Sequence, residues 1–285
     1  MDARLVWNTW RRILTDDQLV ARVLQGAGAE AGEMTGLTAD EWTILADYMS
    51  TREATDTNIG MYRRGLVRNG LAALALLPMT QHLLDTSGLD QDAVAEDVAR
   101  STGYADHGPN VWRIAGDFVA HLSTLPQFAG TPQQDVLALD AATVALARQL
   151  GEHEPVAWPD SAAVSVSGDD QSVRLEDARF VAGGTAVLAS SRHDLTAWIE
   201  NPYDFDPGEA LDVSPRQWLI YFPEAEGAQT YAELSQRAGR VFTLLSVPKT
   251  PANVASALGD MSASDVLDVI DSLAELGVVV RVQSA

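Results

Sequence analysis

The sequence predicts an α+β chain, helical through about residue 152 and mixed α/β beyond it. Three observations carry that reading. Apolar residues recur at helical spacing over the first half. After Gly151-Glu152-His153-Glu154-Pro155 the pattern changes to short alternating runs separated by glycine turns. The last stretch of about seventy residues then orders a hairpin, three capped helices and a closing apolar strand. A length of 285 residues favours two domains, because single cores rarely grow beyond a couple of hundred residues. The expected boundaries are 1–152 for a helical domain and 160–285 for an α+β region, with a discrete unit at 214–285.

In the first half, Leu5, Val6, Trp10, Ile13 and Leu14 share a helical face, as do Leu19, Val20, Val23 and Leu24. Gly26-Ala27-Gly28, Gly32 and Gly36 interrupt the pattern. Thr38 and Glu41 stand three apart, the capping-box spacing that starts a helix through Trp42, Leu45 and Met49. A helix follows from about Asn58 to Leu77, stopped or kinked at Pro78, and another from Asp90 to about Ser101. Tyr104 to Pro109 reads as a loop, and Asn110 starts a helix bearing Val111, Ile114, Phe118 and Leu122. Thr131-Pro132-Gln133-Gln134 is a further start signal, for a helix to about Leu150.

In the second half, Ala163–Val166 and Ser172–Leu175 flank a Gly168-Asp169-Asp170 turn, and Gly183-Gly184 precedes a strand from Thr185 to Ala189. A short helix is expected around Leu195 to Ile199. Trp218–Phe222 and Ala228–Glu233 form a hairpin across Pro223–Gly227. Helices follow around Val241–Leu245, from the Thr250-Pro251 cap through Leu258, and from Ser262 or Ser264 along Val266, Val269, Ile270 and Leu273. Gly277 ends the last of these, and Val278–Val280 returns as a strand, an order that makes 214–285 winged-helix-like.

Charge and composition narrow the function. There are no cysteines, which excludes disulfides, thiolate metal sites and cysteine nucleophiles. Forty acidic against nineteen basic residues give a net −21, a field that repels phosphate backbones and anionic lipid. The imbalance is shared: residues 1–152 hold 11 basic and 20 acidic side chains, the remainder 8 and 20. Neither a nucleic-acid nor a membrane partner is therefore expected. The start, MDARLVWNTWRRILTDD, lacks a signal peptide's apolar core, and Leu71–Met79 is too short an apolar run to span a bilayer, so a cytoplasmic location is expected.

No GxSxG elbow, Walker loop or HExxH occurs. The histidines at 82, 107, 121, 153 and 193 lack ligand spacing, and His82 with Asp85 reads as a surface pair. Asp204–Glu209 resembles a calcium loop only superficially, with glycine one position early and Pro215 where glutamate belongs. The third helix of the final unit carries Asp265, Asp268, Asp271 and Glu275 and no base, which disfavours groove reading of DNA. The remaining use of such a fold is peptide capture, in which a strand edge accepts an added strand and neighbouring side chains select it. The candidate peptide-binding residues are Gln229, Thr230, Tyr231, Ala232, Glu233 and Leu234 on the edge, with Val266, Val269, Ile270 and Leu273 on the helix. Arg63, Arg64 and Arg68 form a cationic cluster that reads either as a solvated face or as a partner contact.

Two stretches resemble known families. The hairpin with AGRVFTLLS, TPANVASALG and DVLDVIDSLAELGVVV, over Trp218–Val282, resembles the RiPP recognition element, a PqqD-like module that binds leaders of ribosomally made peptide natural products. Tyr62-Arg63, Val67-Arg68, Leu71, Ala73-Leu74, Pro78 and Leu83-Leu84 resemble the helical N-terminal domain of partner proteins of MNIO enzymes, the multinuclear non-heme iron-dependent oxidative enzymes. Pro109-Asn110, Gly116, Phe118, Leu122 and Asp135–Ala142 follow the same pattern. Gly65 replaces an expected asparagine, and Leu77 an aromatic. The resemblance implies a non-catalytic subunit without a cofactor of its own, which binds the leader and docks, as a heterodimer, on an enzyme that carries the iron. The alternatives are a winged-helix transcriptional regulator or an enzyme with an unrecognised site.

Overall fold

The computed structural model describes residues 2–25, 36–48, 52–105, 107, 110–152, 175–224 and 227–282. The expected glycine break at 26–32, the strands and turn at 163–174, Pro109 and His153 lie outside the described residues. The chain is α+β, predominantly helical with small antiparallel sheets, and divides into two compact units, Met1–His121 and Leu122–Ala285.

The first unit is helical: α1 (Ala3–Thr15), α2 (Asp17–Gln25), α3 (Ala39–Tyr48), α4 (Arg52–Ala73), α5 (Pro78–Thr86), α6 (Gln91–Ser101) and α7 (Val111–Ser123), the last running two residues past the division. Local chemistry fixes the ends. Asp2 accepts from the Arg4 amide to cap α1, and Asp90 accepts from Asp92 and Ala93 to cap α6. The Thr38–Glu41 box forms in both directions, the Thr38 amide donating to Glu41 Oε2 (2.8 Å) and the Glu41 amide to Thr38 Oγ1 (3.3 Å). Pro78 acts as a start as well as a stop. It bars Leu77 from helical geometry (φ −128°, ψ 74°), so α4 tightens into a 3₁₀ turn at Leu74–Leu76 and α5 begins on the proline. Gly70 lets α4 and α7 approach, since a Cβ there would stand 2.7 Å from Phe118 Cε2.

The second unit holds α8 (Pro132–Glu152), β1 (Arg179–Ala182), β2 (Ala186–His193), α9 (Thr196–Glu200), β3 (Val213–Tyr221), β4 (Thr230–Leu234), α10 (Gln236–Leu244), α11 (Pro251–Leu258), α12 (Ala263–Glu275) and β5 (Val279–Val282). The expected boundary at 152 is displaced: α8 packs on β2 and belongs to the sheet-bearing unit. Its start signal also works differently. Thr131 Oγ1 donates back to the Phe128 carbonyl, and Gln134 Oε1 accepts from the Gly130 amide.

Strands β2, β3 and β4 form an antiparallel sheet in that order, while β5 pairs with β1 in a separate two-stranded ladder. Register places Leu188, Leu219 and Ala232 abreast, and they pack with Val241, Phe242, Leu245, Val266, Ile270 and Leu273 from α10–α12. Val187, Ile220 and Tyr231, also abreast, face the opposite way, toward α8. Thr250 caps α11 and Ser262, with a reciprocal bond from Asp265, caps α12. Gly277 at φ 73° turns the chain into β5.

One carboxylate pins α8 to the sheet. Asp135, in the first turn of α8, accepts from the Arg192 amide (2.9 Å), the His193 amide (3.0 Å) and His193 Nδ1 (2.7 Å) at an irregularity in β2. It is 6% exposed and His193 8%. Asp135→Ala would leave the two His193 donors buried without an acceptor and should cost about 3 kcal/mol of unfolding free energy, read by urea denaturation.

Candidate functional site

Strand β4 is the edge of its sheet: on one side it pairs with β3, from Tyr221↔Thr230 to Gln217↔Leu234, and among the described residues it has no ladder partner on the other. Alternate backbone groups of an edge strand point away from the sheet and can receive another chain. The expected strand Ala228–Glu233 is thus found two residues later in its start and one in its end.

The candidate side chains separate by what they touch. Ala232 and Leu234 pack onto the core shared with α10–α12. Tyr231 points at α8, where its hydroxyl donates to Asp140 Oδ1 (3.3 Å) and lies 3.3 Å from Thr143 Oγ1. Burial first, and then the negative Asp140, push the Tyr231 pKa far above the usual phenol range. Glu233 is exposed and accepts from Arg216 (3.0 Å), whose other nitrogen donates to Asp194 (2.6 Å). Gln229 and Thr230 are half-buried.

On α12, Val266, Ile270 and Leu273 are fully buried, so helix packing accounts for them, and Val269 is partly buried at the edge of that core. The four apolar candidates thus form a floor more than a wall. The polar face of α12 is acidic. Asp268, Asp271 and Glu275 follow one another at helical spacing, and no basic residue occupies the last turn, where the helix dipole favours one. Asp271 titrates above the usual carboxylate range, through desolvation first and then repulsion from Asp268 and Glu275, and its Oδ1 is buried without a partner.

The arginine cluster also divides. Arg63 is spent inside the first unit: it donates to Asp17 (2.8 Å) and to the Leu14 (2.5 Å) and Ile13 carbonyls, and its guanidinium lies 5.0 Å from the centre of the Tyr104 ring. It therefore satisfies carbonyls left open at the C-terminal end of α1. The Tyr104 hydroxyl bonds Glu96, which with Asp17 also holds Arg100. Arg64 and Arg68 are exposed and without an ion-pair partner among the described residues, the only two of the cluster open to another molecule.

Pairings between distant segments were not visible in sequence. Asp135–His193, 58 positions apart, and His107–Asp117, 3.1 Å apart across the start of α7, carry no local signature. The Asp204–Glu209 stretch forms an Asx turn, Asp206 Oδ1 accepting from the Gly208 amide. Among the described residues no three His, Cys, Asp or Glu side chains converge as a metal-binding group, and no helix is long and apolar enough to cross a membrane.

No protein-family model matches this sequence, and no curated protein is found to match it.

Two measurements follow from these contacts. Burial, the bond to Glu96 and the negative charge of that carboxylate hold the Tyr104 hydroxyl up at about 12, against the opposing pull of Arg63 and Arg100. A folded pKa raised above the unfolded 10 means a stabilising contribution complete below pH 10 and lost as pH rises toward 12. Absorbance titration at 295 nm should show several late phenols, Tyr221 and Tyr231 among them, and Tyr104→Phe should remove the one near pH 12. Asp271 follows the same sense at lower pH: its raised pKa marks a charged form that the fold disfavours, a cost relieved as pH falls. Asp271→Asn should therefore raise the unfolding free energy at pH 7 by ~0.5 kcal/mol, read by urea denaturation.

Proposed function

We propose that the chain is a non-catalytic substrate-recognition subunit. It binds the leader of a ribosomally made precursor peptide and presents the core to a separate MNIO-type iron enzyme for oxidative modification. The observation that carries this reading is the edge of β4, which has no ladder partner among the described residues, and the order of hairpin, three helices and closing strand, which resembles that of a PqqD-like, winged-helix-like module. The resemblance of Trp218–Val282 to the RiPP recognition element, and of the first half to MNIO partner proteins, supplies the substrate and partner classes.

The physical logic is tethering. A leader added to β4 gains main-chain hydrogen bonds along the strand without needing a particular sequence, while flanking side chains set the preference. With the leader held, the core meets the enzyme at an effective concentration fixed by the linker, and the tether needs no catalytic group. In this reading the iron and the oxidation belong to the partner, Arg64 and Arg68, without an ion-pair partner among the described residues, contact the enzyme, and the complex is cytoplasmic.

Hydrogen exchange on the full chain tests the edge directly. Addition of the precursor peptide should protect every second amide across residues 229–234, those turned away from β3, and leave the inward set unchanged. Uniform exchange with and without peptide rules out this edge. Co-expression of tagged chain, neighbouring iron enzyme and precursor should give an equimolar complex with iron in the partner. Arg64→Ala with Arg68→Ala should weaken enzyme retention about tenfold and leave the urea midpoint within about 0.5 kcal/mol. Arg63→Ala should lower that midpoint by roughly 1–3 kcal/mol.

A further inference from the structure

The helical unit contains a cavity of about 450 Å³, bounded by α4 with its 3₁₀ turn, α6, the residues Thr102, Tyr104, Ala105 and His107, and the start of α7. Small side chains open it. Ala73 on α4 and Ala95 and Ala99 on α6 stop short of the facing helix, while Phe118 reaches α4 only because Gly70 has no side chain. The floor is apolar: Ala73 is 3% exposed, Ala95 1% and Phe118 1%. The volume falls within the range of small-molecule sites, about 300–1,000 Å³.

The polar groups at the cavity are few, and most are engaged. The Tyr104 hydroxyl is bonded to Glu96, and Thr102 Oγ1 donates to the Val98 carbonyl (3.1 Å). What remains is at the more exposed end. His107 Nε2 lies 3.1 Å from Asp117 Oδ2, with side chains 22% and 35% exposed, and the exposed Asn69 amide has no partner among the described residues. A carboxylate has lone pairs beyond the one bond to His107 and accepts further donors. No lysine or arginine lines the cavity.

We propose that this cavity binds a small amphiphilic molecule with an apolar, ring-sized body and a hydrogen-bond-donating, cationic head. The body lies against Phe118 and the alanines, and the head donates to Asp117. An apolar interior of this size has little to offer water, so filling it with carbon recovers lost contacts. An anionic head would meet the Asp117 carboxylate, and the basic side chain beside it, His107, is already bonded to that carboxylate, so the site selects amine over acid. Nothing in this assignment depends on the peptide-recognition reading, which concerns the other unit.

The test uses two naphthalenes that differ in head group. The full chain is titrated with 1-naphthylmethylamine and, separately, 1-naphthoate, following ligand fluorescence and the melting midpoint. The amine should saturate at one equivalent with a micromolar Kd and raise the midpoint, and the acid should bind at least tenfold more weakly. Ala99→Leu, which puts a branched side chain into the space, should weaken the amine at least tenfold without lowering the melting midpoint. Asp117→Asn, at a half-exposed position, should narrow the gap between amine and acid and serves on its own where Ala99→Leu does not fold. Equal affinity for the two head groups in the natural chain, or an Asp117→Asn variant that keeps the full preference, overturns the proposal. Absence of saturable amine binding up to millimolar concentration also overturns it, and leaves a partner protein's side chain as the occupant.

Discussion

The Asp135 carboxylate is the constraint on which the sheet-bearing unit depends. Four donors from two consecutive residues of β2 converge on it, two of them backbone amides that the local irregularity in the ladder would otherwise leave unpaired. Because the acceptor sits in the first turn of α8, the helix dipole stabilises its charge as well. With that end fixed, Tyr231 reaches Asp140 and Thr143 further along the same helix, so α8 holds β2 at one corner of the sheet and β4 at the other. One face of the sheet is thereby covered by α8 and the other by α10–α12. What stays open is the edge.

The first unit solves a similar problem with a cation. Arg63 closes carbonyls at the end of α1, pairs with Asp17 at the start of α2 and covers the Tyr104 ring. Its cluster mates Arg64 and Arg68, one and five positions on, leave the same helix into solvent. Three arginines that look alike in sequence therefore have different work, and only their neighbours in space distinguish them.

That contrast shows how far the sequence could be read. Ends governed by local chemistry were legible: the Thr38–Glu41 box, the Ser262 cap and Gly277 all act within four residues of their position. The amphipathic face of α12 was legible too, since Val266, Ile270 and Leu273 keep helical spacing whether they touch a ligand or a core. Their burial was not, because periodicity gives a face and not what lies against it. The place of α8 failed for the same reason. A helix following other helices reads as their companion until Asp135 and Tyr231, 96 positions apart, show which partner it packs on. The cavity escaped notice because alanine in a helix reads as good propensity, whereas here its shortness is what matters.

The open edge of β4 brings a liability of its own. Five residues of strand with no ladder partner among the described residues can pair with the same strand of a second copy. Its shortness limits the gain from such pairing, and Glu233 places a charge on it. The strong net negative charge adds long-range repulsion between copies. That repulsion reaches only about 8 Å at physiological ionic strength and about 3 Å at 1 M salt. The acidity of this protein is thus also a colloidal safeguard, strongest in dilute salt and weakest where the edge is left both empty and screened.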